Sequence, residues 1–367
     1  MCTHVNFHGD QTMISALRPL TRIGHWLATP LVPEAYLELI DPLLGAGLRG
    51  RVERVVQESP GAVSLQIRPN GKWQGAIAGQ YVRLGVDIDG VRHWRCYSVS
   101  SGDAGRDDTF AVTVRAIQGG HVSTWLNRHA RAGMTLMLDQ ASGDFVLPQG
   151  ELPKLLFLTA GSGITPAMGM MRSLMSSDRQ ADLVHLHYSI DAENNLFAAE
   201  RHGMSLAQGW ATHDLLTGTA GNNQFTAKQL DALCPDWRDR LAYVCGPGPM
   251  MEAVADHWQQ AGLAEQLKRE NFRPALKAVA AGAGGEVRFW NSERVAEGAG
   301  DKPLLEVAEQ AGLMPKHGCR MGICQGCLVT LKEGQVRDLT SGEVFGESGD
   351  MVRICVCAAA GNVTLEL

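Results

Sequence analysis

His317-Gly-Cys319-Arg-Met-Gly-Ile-Cys324-Gln-Gly-Cys327 is the stretch whose reading decides the rest of the chain. Four residues separate the first two cysteines and two separate the next pair, the spacing of a loop that wraps a [2Fe–2S] cluster. Two irons bridged by two sulfides need four thiolates, and one tight loop delivers three of them only if its backbone curls. Gly318, Gly322 and Gly326 supply that freedom, because glycine accepts positive φ and lets amide N–H groups approach the sulfurs. A zinc site is the alternative reading, but zinc ligands usually come as two close cysteine couples, which this run does not offer.

The chain has 367 residues, too many for one ordinary core, so two or three domains are expected. Hydrophobic residues make up 45% and charged residues 20%, a globular composition. A net charge of −6 without a long basic run argues against nucleic acid as a partner. Of nine cysteines, five crowd the C-terminal region while Cys2, Cys96, Cys234 and Cys245 are scattered, which fits a reducing compartment better than a disulfide framework. With no long apolar run and no signal-peptide layout at the N-terminus, the expectation is a cytoplasmic protein that does not span a membrane, peripheral at most through its acceptor.

Upstream, residues 1–46 carry apolar positions at helical spacing (Ile14, Leu17, Leu20, Ile23, Leu27, then Tyr36 to Leu44) and read as a helical arm packed on the next domain, with a docking segment as the alternative. From Gly50 the period changes: Val52, Val55, Val63, Leu65 and Ile67 alternate with polar residues, and short strands broken by Gly and Pro continue to Pro148. Residues 47–149 therefore read as an antiparallel β-barrel. Within it lies Arg95-Cys-Tyr97-Ser98, read as an Arg, a Tyr and a Ser that point to one face of a strand: a cation for a phosphate, an aromatic plane for a ring, a hydroxyl for the reactive nitrogen of a flavin. Gly119-Gly120-His-Val122-Ser123-Thr124 follows, a Gly-Gly turn opening a helix and hence an anion site.

Residues 150–272 read as a Rossmann-like α/β domain. The apolar strand Leu155 to Leu158 runs into Thr159-Ala-Gly161-Ser-Gly163-Ile-Thr165-Pro166, a glycine turn that aims N–H groups at a pyrophosphate, with Thr165 as helix N-cap and Pro166 as first helical residue. The next strand ends at Ser189-Ile190, where an adenine ribose lies in such folds, and Arg201 is the nearby cation available for a 2′-phosphate. Residues 273–285, rich in Ala and Gly, read as a flexible linker. Residues 286–367 form the cluster unit, with a strand from Glu286 to Trp290, a helix from Pro303 to Ala311 and a closing strand from Val363 to Leu367.

These motifs, in this order, resemble the ferredoxin–NADP reductase superfamily over about residues 50–272, fused to a C-terminal plant-type [2Fe–2S] ferredoxin. The likeness implies a multidomain chain: an antiparallel β-barrel flavin domain, an α/β Rossmann-like nicotinamide domain and an α+β β-grasp ferredoxin domain. It implies Arg95, Tyr97, Ser98, Val122 and Ser123 as flavin contacts, FAD over FMN, and Cys245-Gly246-Pro247 as the turn that sets a thiol beside the nicotinamide. Gly161, Gly163, Thr165 and Ser189 complete the nucleotide set. Ser98 and Cys245 are the candidate catalytic positions, read as groups that orient the reactants. The metal ligands are Cys319, Cys324, Cys327 and either Cys355 or Cys357. Twenty-nine residues lie between Cys327 and Cys357, the gap usual in plant-type ferredoxins, whereas the distance back from the closing strand favours Cys355. The second ruler is preferred, because the loop from Lys332 to Asp350 can lose residues cheaply and a short link from ligand to strand cannot.

The implied function is an NAD(P)H-dependent reductase passing electrons from NADPH or NADH through FAD and [2Fe–2S] to an oxygenase-type acceptor. The Cys-Arg-Met-Gly-Ile-Cys loop resembles reductases of membrane fatty-acid desaturases or hydroxylases. A reductase of a soluble Rieske or di-iron oxygenase is the second reading, and a flavoprotein whose cluster serves structure or sensing is the third.

Overall fold

The computed structural model describes residues 47–218, 224–272, 284–318, 320, 322 and 325–367. The helical arm expected over 1–46, nearly all of the linker, Cys319 and Cys324 lie outside them.

Three sheets follow one another along the chain. The first contains β1 (Arg49–Ser59), β2 (Ala62–Pro69), β3 (Tyr81–Ile88), β4 (Val91–Ser98), β5 (Phe110–Arg115) and β6 (Thr135–Leu138), with helix α1 (His121–His129) between the last two strands. It is antiparallel in the order β4-β3-β6-β1-β2-β5. A bridge between Val99 and Val112 and a 2.8 Å bond from Ser100 N to the Ala111 carbonyl join its two outer strands, which closes the barrel and removes the free edges. Alternation explains the core, since Leu65, Ile67, Val82, Leu84, Val112 and Val114 all point inward and are fully buried.

The second sheet contains β7 (Leu155–Ala160), β8 (Leu183–Ser189), β9 (Ala211–Leu216), β10 (Leu241–Cys245) and β11 (Leu267–Glu270), all parallel, in the order β11-β10-β7-β8-β9. Helices α2 (Ile164–Met175), α3 (Ala198–Gln208), α4 (Ala227–Leu233) and α5 (Gly248–Gln260) provide the crossovers. Every residue of β7 and β8 is buried, because a parallel sheet is covered on both faces. Leu155 and Phe157 join one core with α2, while Leu156 and Leu158 join another with α5. The strand order reverses between β7 and β10, so a crevice opens at their C-terminal ends.

The third unit holds β12 (Gly285–Phe289), β13 (Arg294–Gly298), α6 (Leu304–Gln310), β14 (Leu328–Glu333), β15 (Val336–Asp338), β16 (Val344–Phe345), β17 (Met351–Arg353), β18 (Cys357–Ala359) and β19 (Val363–Leu365). The first and last strands pair in parallel at the centre of the order β13-β12-β19-β14-β17, and α6 buries Leu304, Leu305, Val307 and Ala308 beneath them, a β-grasp. The segment read as a plain loop from Lys332 to Asp350 carries β15 and β16. Val336 pairs with Phe345 and Arg337 with Val344, a hairpin too short to show a period in sequence.

Candidate functional site

Arg95 and Tyr97 lie two residues apart on β4 and share a face of the strand. Ser98, one residue further, is still paired in the ladder with Tyr81 and is 5% exposed. Strand alternation therefore turns its side chain to the opposite face, which corrects the expectation that all three point one way. Burial lowers the Arg95 pKa and raises that of the Tyr97 phenol, so at neutral pH one is a cation and the other an intact hydroxyl. At the Gly-Gly turn Gly119 takes φ +72°, and Gly120 is the extended N-cap of α1. Asn127 ties this helix to β5 by donating to the Val114 carbonyl at 3.0 Å. Val122 is buried against the barrel, whereas Gly119, Gly120, His121, Thr124, Trp125 and Arg128 line an open cavity of about 350 Å³. A half-buried cation, an aromatic face and a helix start on one domain suit a ring joined to phosphates, and the barrel residues fit a flavin dinucleotide.

At the second sheet the glycine turn differs in detail from its reading. The strand runs on to Ala160, a single 3₁₀ turn covers Gly161–Gly163, and α2 begins at Ile164 with Gly163 as N-cap. Thr165 is thus inside the first turn, its hydroxyl donating to the Ser162 carbonyl at 3.0 Å, and is not the cap. A side chain at Gly163 would run into the Cys245 carbonyl, which shows why glycine is required where the two turns meet. Gly246 packs less tightly on Ala160, where an added Cβ would meet the alanine methyl at 3.0 Å, while Pro247 is the N-cap residue of α5. These contacts bring Gly161, Gly163, Cys245, Gly246 and Pro247 to the mouth of the crevice.

Pairing registers align one row across all five strands: Glu270, Cys245, Thr159, His187 and Asp214. The Cys245 thiol is held protonated, its pKa raised by burial first and by Glu270 second. Thr159 Oγ1 lies 2.8 Å from both His185 Nε2 and His187 Nδ1, and burial pushes His187 down to about 3, so both rings are neutral. Glu270 was missed by sequence reading, since a single carboxylate at the end of the fifth strand carries no pattern. Burial, and then Asp144, raise its pKa to about 7 from 4.5. The folded chain therefore binds an extra proton between about pH 4.5 and 7, and its stability falls as pH rises through that window. Glu270→Gln is expected to match the wild type in thermal midpoint below pH 4.5 and to exceed it above pH 7, measured by melting over a pH series.

Ser189 is buried, and its hydroxyl donates to the Asp191 carbonyl at 2.8 Å. Arg201 is not available for a 2′-phosphate: its side chain is fully buried, 2.8 Å from Asp214 and 2.6 Å from the Asn195 side-chain oxygen. Arg201→Ala should cost about 3–5 kcal/mol by breaking a buried ion pair and leaving Asp214 with His202 as its remaining side-chain partner of the two. Chemical denaturation would register that loss, and the NADPH/NADH ratio of kcat/KM should stay unchanged.

In the third unit, Cys327 Sγ and Cys355 Sγ are 3.1 Å apart, beyond the ~2.05 Å of a disulfide. Cys355 sits on the turn between β17 and β18. Cys357 stands inside β18, paired with Asp338 of β15. Arg320, which stands with Lys316 beside the cysteine loop in sequence, is ion-paired with Glu309, which offsets its charge there. The flank of the cysteine loop is in electrostatic reach of β4: Arg95, lowered first by burial, also feels Arg320 and Glu309, and His93, lowered first by burial and by His121 and Arg95, also feels His317 and Arg320.

Residues 52–146 match the family described as oxidoreductase FAD-binding domain, 157–256 the oxidoreductase NAD-binding domain, and 289–360 the 2Fe-2S iron-sulfur cluster binding domain. The chain is similar to an NADPH oxidoreductase of Mycobacterium tuberculosis, 38% identical over 95% of this chain and 92% of that one. It is also similar to the ferredoxin reductase component of a 3-ketosteroid-9-alpha-monooxygenase of Mycolicibacterium smegmatis, 30% identical over 81% and 89%. The solved structure of phthalate dioxygenase reductase shares the fold, with a TM-score of 0.61 and 19% identity over 89% of this chain and 99% of that one. FAD, a [2Fe–2S] cluster and NAD(P)H are accordingly its cofactors and electron donor. With barrel, parallel sheet and β-grasp in this order, the chain belongs to the family of NAD(P)H oxidoreductases that join an FAD-binding, an NAD-binding and a 2Fe-2S domain in one polypeptide.

Proposed function

We propose that this chain takes a hydride from NADH or NADPH at the crevice between barrel and parallel sheet, and delivers single electrons from its ferredoxin unit to an oxygenase component. A nicotinamide gives two electrons at once and a [2Fe–2S] cluster takes one, so the flavin, when bound, supplies the two-to-one conversion. The chain's own residues position the partners. Arg95 and the turn at Gly119 to Ser123 would hold the phosphates, Tyr97 would offer its plane to the ring, and Val122 would pack beneath. Ser98 and Cys245, the latter a neutral thiol, are read as orienting groups. Gly161, Gly163, Gly246 and Pro247 leave room for the nucleotide, with Thr165 and Ser189 shaping the turns around it. Cys319, Cys324, Cys327 and Cys355 would hold the cluster.

The observation that carries this reading is the union of an FAD-binding, an NAD-binding and a 2Fe-2S domain in one chain, with Arg320 and His317, which flank the cysteine loop, in electrostatic reach of Arg95 and His93 on β4. A cluster that served structure alone would gain nothing from that placement. For the acceptor, the names of relatives favour an oxygenase of the soluble Rieske or di-iron kind over a membrane fatty-acid desaturase or hydroxylase. The desaturase reading rests on the likeness of the cysteine loop and of the C-terminal tail. No helix among the described residues is long and apolar enough to cross a membrane. From Glu286 onward the unit holds twelve acidic against eight basic residues, a net −4 out of the chain's −6. Such a surface steers toward a basic partner, with an on-rate that falls with salt. An assay of NAD(P)H-dependent reduction of a one-electron acceptor tests the reading. Rapid turnover that is lost with the cluster supports it, and turnover indifferent to the cluster removes it.

A further inference from the structure

Three side chains outside the ligand set tie the cysteine loop to the strand that leads into Cys355. Arg353, the last residue of β17, donates from Nη1 to the Gly322 carbonyl at 2.9 Å and from Nη2 to Asp338 Oδ2 at 2.8 Å. Asp338 is 6% exposed at the end of β15, and its other oxygen accepts from Thr340 N at 2.7 Å, Thr340 Oγ1 at 2.5 Å and Ser341 N at 3.2 Å. The guanidinium is thus gripped by a carboxylate that is itself fixed by three donors. Gly322 takes φ +75°, and a side chain there would press on Val356, one residue past Cys355. Its carbonyl is consequently the point at which the loop and the Cys355 turn are joined by a single cation.

We propose that Arg353 is a positioning residue that sets both the peptide orientation of the cluster loop and the reduction potential of the cluster. In a trans peptide the C=O and N–H point in opposite directions. A carbonyl held by Arg353 therefore fixes the orientation of the loop at Gly322, and with it the donors that the loop can offer to sulfur. Hydrogen bonds to sulfur and nearby net charge are the levers that tune iron–sulfur potentials. Arg353 acts on both: its fork holds the peptide, and its fixed positive charge favours the reduced, more negative cluster. Asp338 opposes that charge and anchors it. The pair accordingly predicts opposite electrostatic effects at two positions 2.8 Å apart.

This inference rests on the cluster assignment above, and its test separates the two. Arg353→Gln and Asp338→Asn are purified as full-length holoprotein, assayed for iron and sulfide, and titrated potentiometrically with the EPR spectrum of the reduced cluster recorded. Arg353→Gln should lower the reduced-to-oxidised ratio at a given potential about tenfold, ~59 mV for one electron, and alter the EPR g-values. Asp338→Asn should shift the ratio the other way. Arg353→Lys, which keeps the charge but not the fork, should restore most of the potential while the g-values stay altered, and it carries the test if the Gln variant loses its cluster. Unchanged potentials and spectra in holoprotein, or shifts of the same sign in the Gln and Asn variants, would overturn the proposal. Wild-type protein without iron would instead overturn the cluster assignment itself.

Discussion

Cys355→Ser is expected to purify without the visible absorbance and the reduced-state EPR signal of a [2Fe–2S] cluster, whereas Cys357→Ser keeps both. The geometry argues for this asymmetry. Cys355 Sγ stands 3.1 Å from Cys327 Sγ on a turn that the Ile354 N–H pins to the Cys327 carbonyl at 3.3 Å. Cys357 is committed to β18, where it pairs with Asp338. Its replacement by serine places a hydroxyl at a site 1% exposed, a cost of about 1–3 kcal/mol in stability but not the loss of a ligand. Loss of a ligand also removes part of what folds so small a unit, so Cys355→Ser should release iron and lower the melting temperature of the ferredoxin domain. An intact cluster in Cys355→Ser, with loss in Cys357→Ser, would reverse the assignment.

Removing residues 285–367 is expected to leave ferricyanide reduction by NAD(P)H near its original rate and to abolish reduction of cytochrome c and of the oxygenase acceptor. The buried cores on the two faces of the parallel sheet share no residue with the core of the ferredoxin unit, so the shortened chain keeps what holds it together. Ferricyanide accepts electrons from a flavin directly, while the protein acceptors need the cluster's exit. Steady-state assays with the three acceptors decide it. Full-rate cytochrome c reduction by the shortened chain would mean that electrons leave from the flavin.

The architecture was legible because each unit announces itself by a different period. Alternation marked the barrel, a continuous apolar run marked β7, and cysteine spacing marked the β-grasp unit. What escaped was decided by contacts far apart in sequence. Arg201 looked available beside Ser189, but Asp214, thirteen residues on, claims it. Ser98 looked co-facial with Tyr97, though a one-residue step along a strand reverses the face. Thr165 beside Pro166 read as a cap, yet α2 starts two residues earlier, straight after the 3₁₀ turn. Glu270 and Arg353 belong to no motif, since pairing across the sheet and the fold of the cysteine loop give them their neighbours.

The central claim is the order of transfer, from nicotinamide to flavin to cluster to acceptor. Anaerobic rapid mixing of the oxidised protein with NADH or NADPH, followed by absorbance, tests it most directly. Bleaching of the flavin band is expected first, at a rate that depends on nucleotide concentration, followed by cluster reduction at a rate that does not, with the second phase absent from Cys355→Ser. Cluster reduction that precedes flavin bleaching, or flavin reduction with no transfer to an intact cluster, would contradict it.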